Sequence, residues 1–232
     1  MKKIIFMALL GMSATANAHL MFPAQSQNGY ELKFWADDHW ESIQNNKVIG
    51  VRGYKNGNPI KVGYDFAKGS IEVANGQRPD MLTSEYDFGY YTFTADNHYP
   101  KARNEVAGTI FDSRHIYKLG KSIYQWNKAY SRPVGMKIEV TPLTNPLALR
   151  PGDNLPLLVT MDGRPLAKAE FEDQVGDLDN VTTDAKGLAI ITLRQPQDGF
   201  YIIGAGTKKP YTLTDSQAQT LQLTGVLAFK AR

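Results

Sequence analysis

Four histidines, His19, His39, His98 and His115, are the chain's main candidates for metal or acid–base chemistry, because it contains no cysteine. Without thiolates, a metal site must draw on nitrogen, oxygen or thioether donors. His19 stands out by its context. It follows Ala16-Asn17-Ala18, an A-x-A cleavage signal, which itself follows Lys2-Lys3 and the apolar run Ile4–Met12. That run falls far short of the roughly 18 residues that cross a bilayer, so the segment reads as a cleaved export signal and not as an anchor. Cleavage after Ala18 makes His19 the first residue of a periplasmic protein. A terminal histidine offers its α-amine and its imidazole Nδ1 to one ion and closes a chelate ring. The amine titrates near pH 8, so a divalent ion displaces its proton at neutral pH. Nickel(II) suits such a nitrogen-rich site, and copper(II) suits it more strongly.

The other three histidines also sit among carboxylates. His39 lies in Asp37-Asp38-His39-Trp40-Glu41, which is either a metal-ligating cluster or a solvated loop after a strand ending at Trp35. His98 lies in Asp96-Asn97-His98-Tyr99-Pro100, and His115 in Asp112-Ser113-Arg114-His115. An aspartate two or three residues upstream of each could orient the imidazole for ligation. Equally, these are surface histidines, or core histidines satisfied by a carbonyl. No pair has the i, i+4 spacing of a helical H-E-x-x-H site, so only the fold could make the four converge. Met21 could add a thioether, or pack with Phe22 to hold the terminus on the core.

The elements that must position these residues read as mainly β, in two sandwich-like domains. The expected division is 1–18 as the cleaved signal, 19–134 as an aromatic-rich domain holding all four histidines, and 135–232 as a second domain. In the first half, Tyr30–Trp35, Val48–Tyr54 and Tyr86–Thr94 have the β-branched and aromatic character of strands. Lys55-Asn56-Gly57-Asn58-Pro59 and Asn75-Gly76 mark turns. Ile116–Ala129 is the best helix candidate, weakened by Gly120, or else an extended arm. In the second half, Met136–Val140 alternates like a half-buried strand. Leu155–Met161, Ala169–Glu172, Leu188–Leu193, Phe200–Ala205 and Leu221–Phe229 follow between Asp162-Gly163, Asp184–Gly187 and Asp198-Gly199 turns. That spacing predicts an antiparallel sandwich of immunoglobulin or transthyretin type. The many aromatics of the first half fit a β core better than an exposed row that stacks on sugars.

Charge narrows the function classes. The whole chain has 26 basic and 23 acidic residues, net +3. Removing Lys2 and Lys3 lowers the processed chain to net +1, with no basic run of the kind that binds nucleic acid. No segment after the signal is long and apolar enough to span a membrane as a helix. Neither a G-x-S-x-G elbow nor a phosphate-binding glycine loop is present, and Asp87-Phe88-Gly89 lacks every other kinase element.

Several stretches carry a family resemblance. Ile138-Glu139-Val140-Thr141-Pro142-Leu143-Thr144-Asn145-Pro146 is followed by Leu149-Arg150-Pro151-Gly152-Asp153 and by Met161-Asp162-Gly163-Arg164-Pro165-Leu166-Ala167-Lys168-Ala169. Thr183-Asp184-Ala185-Lys186-Gly187-Leu188-Ala189 and Gly199-Phe200-Tyr201-Ile202-Ile203 complete the order. With Ala18-His19 at the cleavage site, the chain resembles the NikM-like exported family, similar to the periplasmic component of energy-coupling-factor nickel transporters. The resemblance implies a periplasmic protein that binds nickel or cobalt ions and works beside a membrane transporter. It departs from membrane NikM proteins in lacking their transmembrane helices. The expected metal residues are therefore His19, His39, His98 and His115. Two other readings stay open: a copper-dependent enzyme in which a second imidazole, His98 or His115, braces the His19 amine, and a metal-free envelope interaction protein.

Overall fold

The structure, a computed structural model, describes residues 19–212 and 217–230. The expected export signal lies outside the described residues. Short turns set the register of the strands. Asp37 and Asp38 have φ of 50° and 64°, Asn56 and Gly57 of 51° and 78°, and Asp162 and Gly163 of 50° and 75°. Two successive left-handed residues make a type I′ turn, whose twist matches that of the strands it joins. Each pair therefore closes a tight hairpin, and Asp37-Asp38 is a turn with His39 opening the strand after it.

The first-half strands are β1 (His19–Ser26), β2 (Gly29–Ala36), β3 (His39–Glu41), β4 (Val48–Lys55), β5 (Asn58–Ile60), β6 (Val62–Asp65), β7 (Ser70–Val73), β8 (Met81–Thr94), β9 (His98–Tyr99) and β10 (Ile110–Ile123). The second half supplies β11 (Ile138–Pro142), β12 (Asn154–Met161), β13 (Arg164–Pro165) and β14 (Glu170–Asp173). It ends with β15 (Gly176–Thr182), β16 (Leu188–Thr192), β17 (Phe200–Pro210) and β18 (Thr220–Lys230). The mainly β, sandwich-like expectation is what the chain adopts. The helix expected at Ile116–Ala129 is not: β10 runs through Ile123. Both faces of this strand are covered, so its apolar residues do not alternate with polar ones, and a run of that kind cannot be told from a buried helix by periodicity.

Three sheets form. The first has order β1-β2-β7-β6, with β3 also on β2; the second has nine strands in the order β15-β14-β17-β18-β10-β8-β4-β5, with β9 on β8. The third joins β11, β12, β13 and β16. Strands from both sides of the 134/135 boundary meet in the nine-stranded sheet, where β10 and β18 pair in parallel from Arg114↔Thr220 to Ile123↔Phe229. One core packs Leu119 and Ile123 of β10 and Leu223 and Leu227 of β18 against Ile138, Val140, Leu155 and Leu157 of the third sheet. The first sheet buries both of its faces. Leu20, Phe22 and Trp35 lie against Phe200, Ile202 and Val226, while Met21, Leu32 and Phe34 lie against Val48, Leu82 and Tyr86. Leu20 and Phe22 are fully buried and Met21 nearly so; each such side chain contributes about 1.5–3 kcal/mol, which fixes β1 in place.

Two details tie the layers together. β1 crosses β10 at Gly120, where a Cβ would come within 2.6 Å of both Met21 O and Phe22 Cα. Across the other face, Lys121 Nζ meets Glu139 Oε1 at 2.6 Å, both fully buried. Glu139 also accepts from the backbone N–H groups of Val134, Gly135 and Met136 at 2.7–3.0 Å. The alternation in Met136–Val140 read as a half-buried strand, but every residue of β11 is buried. Burial alone would raise the Glu139 pKa; the Lys121 cation and the N–H donors outweigh it and hold the carboxyl below its usual range.

Candidate functional site at the start of the first strand

β1 pairs with β2 so that His19 lies opposite Ala36, and β2 pairs with β3 so that Ala36 lies opposite His39. Directly opposed residues of antiparallel strands point to the same face. His19 and His39 therefore stand in one cross-strand row with only an alanine methyl between them. Two strand spacings put their Cα atoms about 10 Å apart. The second row on that face is Met21, Phe34 and Glu41. His39 is exposed; its Nδ1 lies 2.9 Å from Asp37 O and its Nε2 3.4 Å from Glu41 Oε1. The His19 ring is 6.0 Å from that of Phe34.

The backbone nitrogen of His19 donates to Glu172 Oε2 at 3.4 Å, across 153 residues of sequence. Glu172 belongs to β14 and lies opposite Gly204 of β17. Nothing in the local sequence marks this carboxylate: Ala169–Glu172 reads as an ordinary alternating strand, and only the fold brings it to His19. Lys118 stands on the same side of the nine-stranded sheet as Gly120 and is buried, with Nζ 3.4 Å from Thr224 Oγ1. Burial pulls its pKa down, and the Glu172 charge opposes that shift. Glu172 also lines an open groove of about 510 Å³, together with Glu170, Asp177, Asp179, Arg114 and Lys208.

The other two histidines lie elsewhere. His98 is exposed on β9, with its ring 6.2 Å from that of Phe93. His115 is buried on β10. Its Nε2 is 2.8 Å from Asp87 Oδ1 and its Nδ1 3.3 Å from Tyr211 Oη, and its ring lies between Tyr90 and Tyr117 at centroid distances of 4.1 and 4.5 Å. Alternation along β10 puts His115, Tyr117 and Leu119 on the face opposite Lys118 and Gly120, so the sheet separates His115 from β1. Burial acts to raise the Asp87 pKa, but hydrogen bonding and charge from His115, the Gly89 N–H and the Lys47 charge hold it below its usual value. Tyr117 is pushed up to about 12, first by burial and then by the Asp87 charge.

Among the described residues, no three His, Asp or Glu side chains gather closely enough to hold an ion by themselves. The backbone nitrogen of His19 stands beside the Glu172 carboxylate.

The chain matches, over residues 19–209, the family described as domain of unknown function (DUF4198). No curated protein and no solved structure matches it. No helix among the described residues is long and apolar enough to cross a membrane.

Proposed function

Since this chain belongs to the DUF4198 family, we propose that it is a periplasmic binding protein for a divalent transition metal, nickel or cobalt, which it carries for a membrane uptake transporter. The processed terminus is the metal site. One observation carries the reading: the nitrogen that becomes the α-amine on cleavage after Ala18 is held on a carboxylate at 3.4 Å, at the head of a strand anchored by buried Leu20, Met21 and Phe22. A terminal histidine on a mobile tail would lose its conformational freedom on binding an ion; here that ordering is already done by the fold. The amine and Nδ1 of His19 form the chelate, and His39, in the same cross-strand row, is the second imidazole. The NikM-like resemblance supports nickel or cobalt as cargo and a transporter as partner. The family match beginning at residue 19 supports a functional chain that starts at the histidine.

The test is calorimetric titration with nickel of the chain starting at His19, beside the same chain carrying one extra residue before it. Strong binding that the extension abolishes is the expected result. A further loss on His39→Ala is expected too. Equal binding by the native and extended chains would move the site away from the terminus, and binding by neither would end the metal-carrier reading.

A further inference from the structure

Resting on that reading, we infer that Glu172 is a direct ligand of the captured ion, completing a two-nitrogen, one-oxygen donor set with the amine and imidazole of His19. The separation already present favours this. Two donors each about 2.1 Å from one ion at the tetrahedral angle stand about 3.4 Å apart, and at a right angle about 3.0 Å. The His19 nitrogen and Glu172 Oε2 are 3.4 Å apart. An ion can therefore replace the hydrogen bond between them with little movement of either strand.

The position of Glu172 is built. Its side chain lies over Gly204, where a Cβ would meet Glu172 Cγ at 2.9 Å and Leu20 Cδ2 at 2.4 Å. The missing side chain thus makes one cradle for the carboxylate and for the residue after His19, and it brings β1 and β14 to the same spot on β17. Glu172 is only partly buried and lines an open groove, which gives a hydrated ion a route from solvent. One anionic oxygen beside two nitrogens suits a borderline divalent ion such as nickel(II), cobalt(II), copper(II) or zinc(II).

The experiment compares the processed chain with its Glu172→Gln and Glu172→Asp variants in nickel titrations, with urea unfolding of each metal-free protein run alongside. Glutamine keeps a hydrogen-bond acceptor for the amine but loses the anionic donor; aspartate keeps the charge but withdraws it by one methylene. Both are expected to bind nickel at least about tenfold more weakly, the loss that even an outer partner of a ligand commonly brings. The visible spectrum of the cobalt complex should also change, which a purely structural role would not cause. Binding and cobalt spectra identical to those of the unmodified chain in either folded variant would overturn the assignment of Glu172. In that case, binding still abolished by the one-residue extension would leave the terminal chelate standing. If the unmodified processed chain takes up no nickel, both the chelate and the role of Glu172 fall.

Discussion

Gly120→Ala tests whether the crossing of β1 over β10 holds the site in place. A Cβ at this position meets backbone atoms at 2.6 Å, and ordinary contact begins near 3.4 Å, so β1 must lift by about 0.8 Å. Overpacking of this kind costs about 1–3 kcal/mol. The lower backbone entropy of alanine in the unfolded chain returns about 0.4–1 kcal/mol. Gly63→Ala shares that entropic gain, so relative to it the loss is the packing cost, about 1–3 kcal/mol, or a fall in Tm of about 2–12 °C for a chain of this size. Gly63→Ala is the matched control, because no atom lies within 4 Å of its Cβ position. Urea denaturation and thermal melts of the processed proteins provide the assay. Because β1 carries His19 only two residues before Met21, the same lift should weaken nickel binding, while Gly63→Ala leaves it unchanged. A Gly120→Ala protein as stable as the control would refute the packing argument. A destabilised variant with full nickel affinity would refute the claim that this crossing positions the terminus.

The buried Lys121–Glu139 pair gives a second expectation. Removing the carboxylate leaves a buried cation and three N–H groups without their acceptor, so Glu139→Leu should cost about 3–5 kcal/mol in urea unfolding, and more than Glu139→Gln, which keeps an acceptor oxygen. Since the folded pKa of Glu139 is depressed, its contribution is full above the unfolded carboxylate pKa and is lost as pH falls through the lower folded value. Stability of the unmodified chain should therefore drop below about pH 4.3, and the Gln variant should show a shallower drop; parallel profiles would argue against a charged Glu139. Third, His115→Ala should destabilise by about 1–3 kcal/mol, because Asp87 and Tyr211 lose a buried partner, whereas His98→Ala should stay within about 0.5 kcal/mol. Neither is expected to change nickel binding by calorimetry, and a loss with His98→Ala would bring that residue back to the metal site.

Much of the chain's architecture was legible locally. Asn56-Gly57, Asp162-Gly163 and Asp198-Gly199 are turns because Asn, Asp and Gly tolerate positive φ, a property of the single residue. The strands between them could be located because β-branched and aromatic residues alternate there. β10 was the exception: Lys118 and Lys121, three residues apart, fit one face of a helix, yet both are buried, and Gly120 between them is a crossing point. Glu139 misled for the same reason, since a polar residue in an alternating strand signals solvent unless a buried partner stands opposite.

The candidate site divides in the same way. Sequence alone carries the expectation of cleavage before His19 and of a chelate formed by its imidazole and amine, because both depend only on adjacent residues. Tertiary structure decided which of the other groups stand beside it. The row from His19 through Ala36 to His39 depends on the register of two hairpins, and one residue of slip would turn every side chain to the opposite face. The contact with Glu172 spans 153 residues and depends on β1 crossing a sheet made from both halves of the chain. The separation of His115 from β1 follows from which face of β10 each side chain takes. Contacts of this kind come from how strands stack and register, and no short stretch of sequence encodes them.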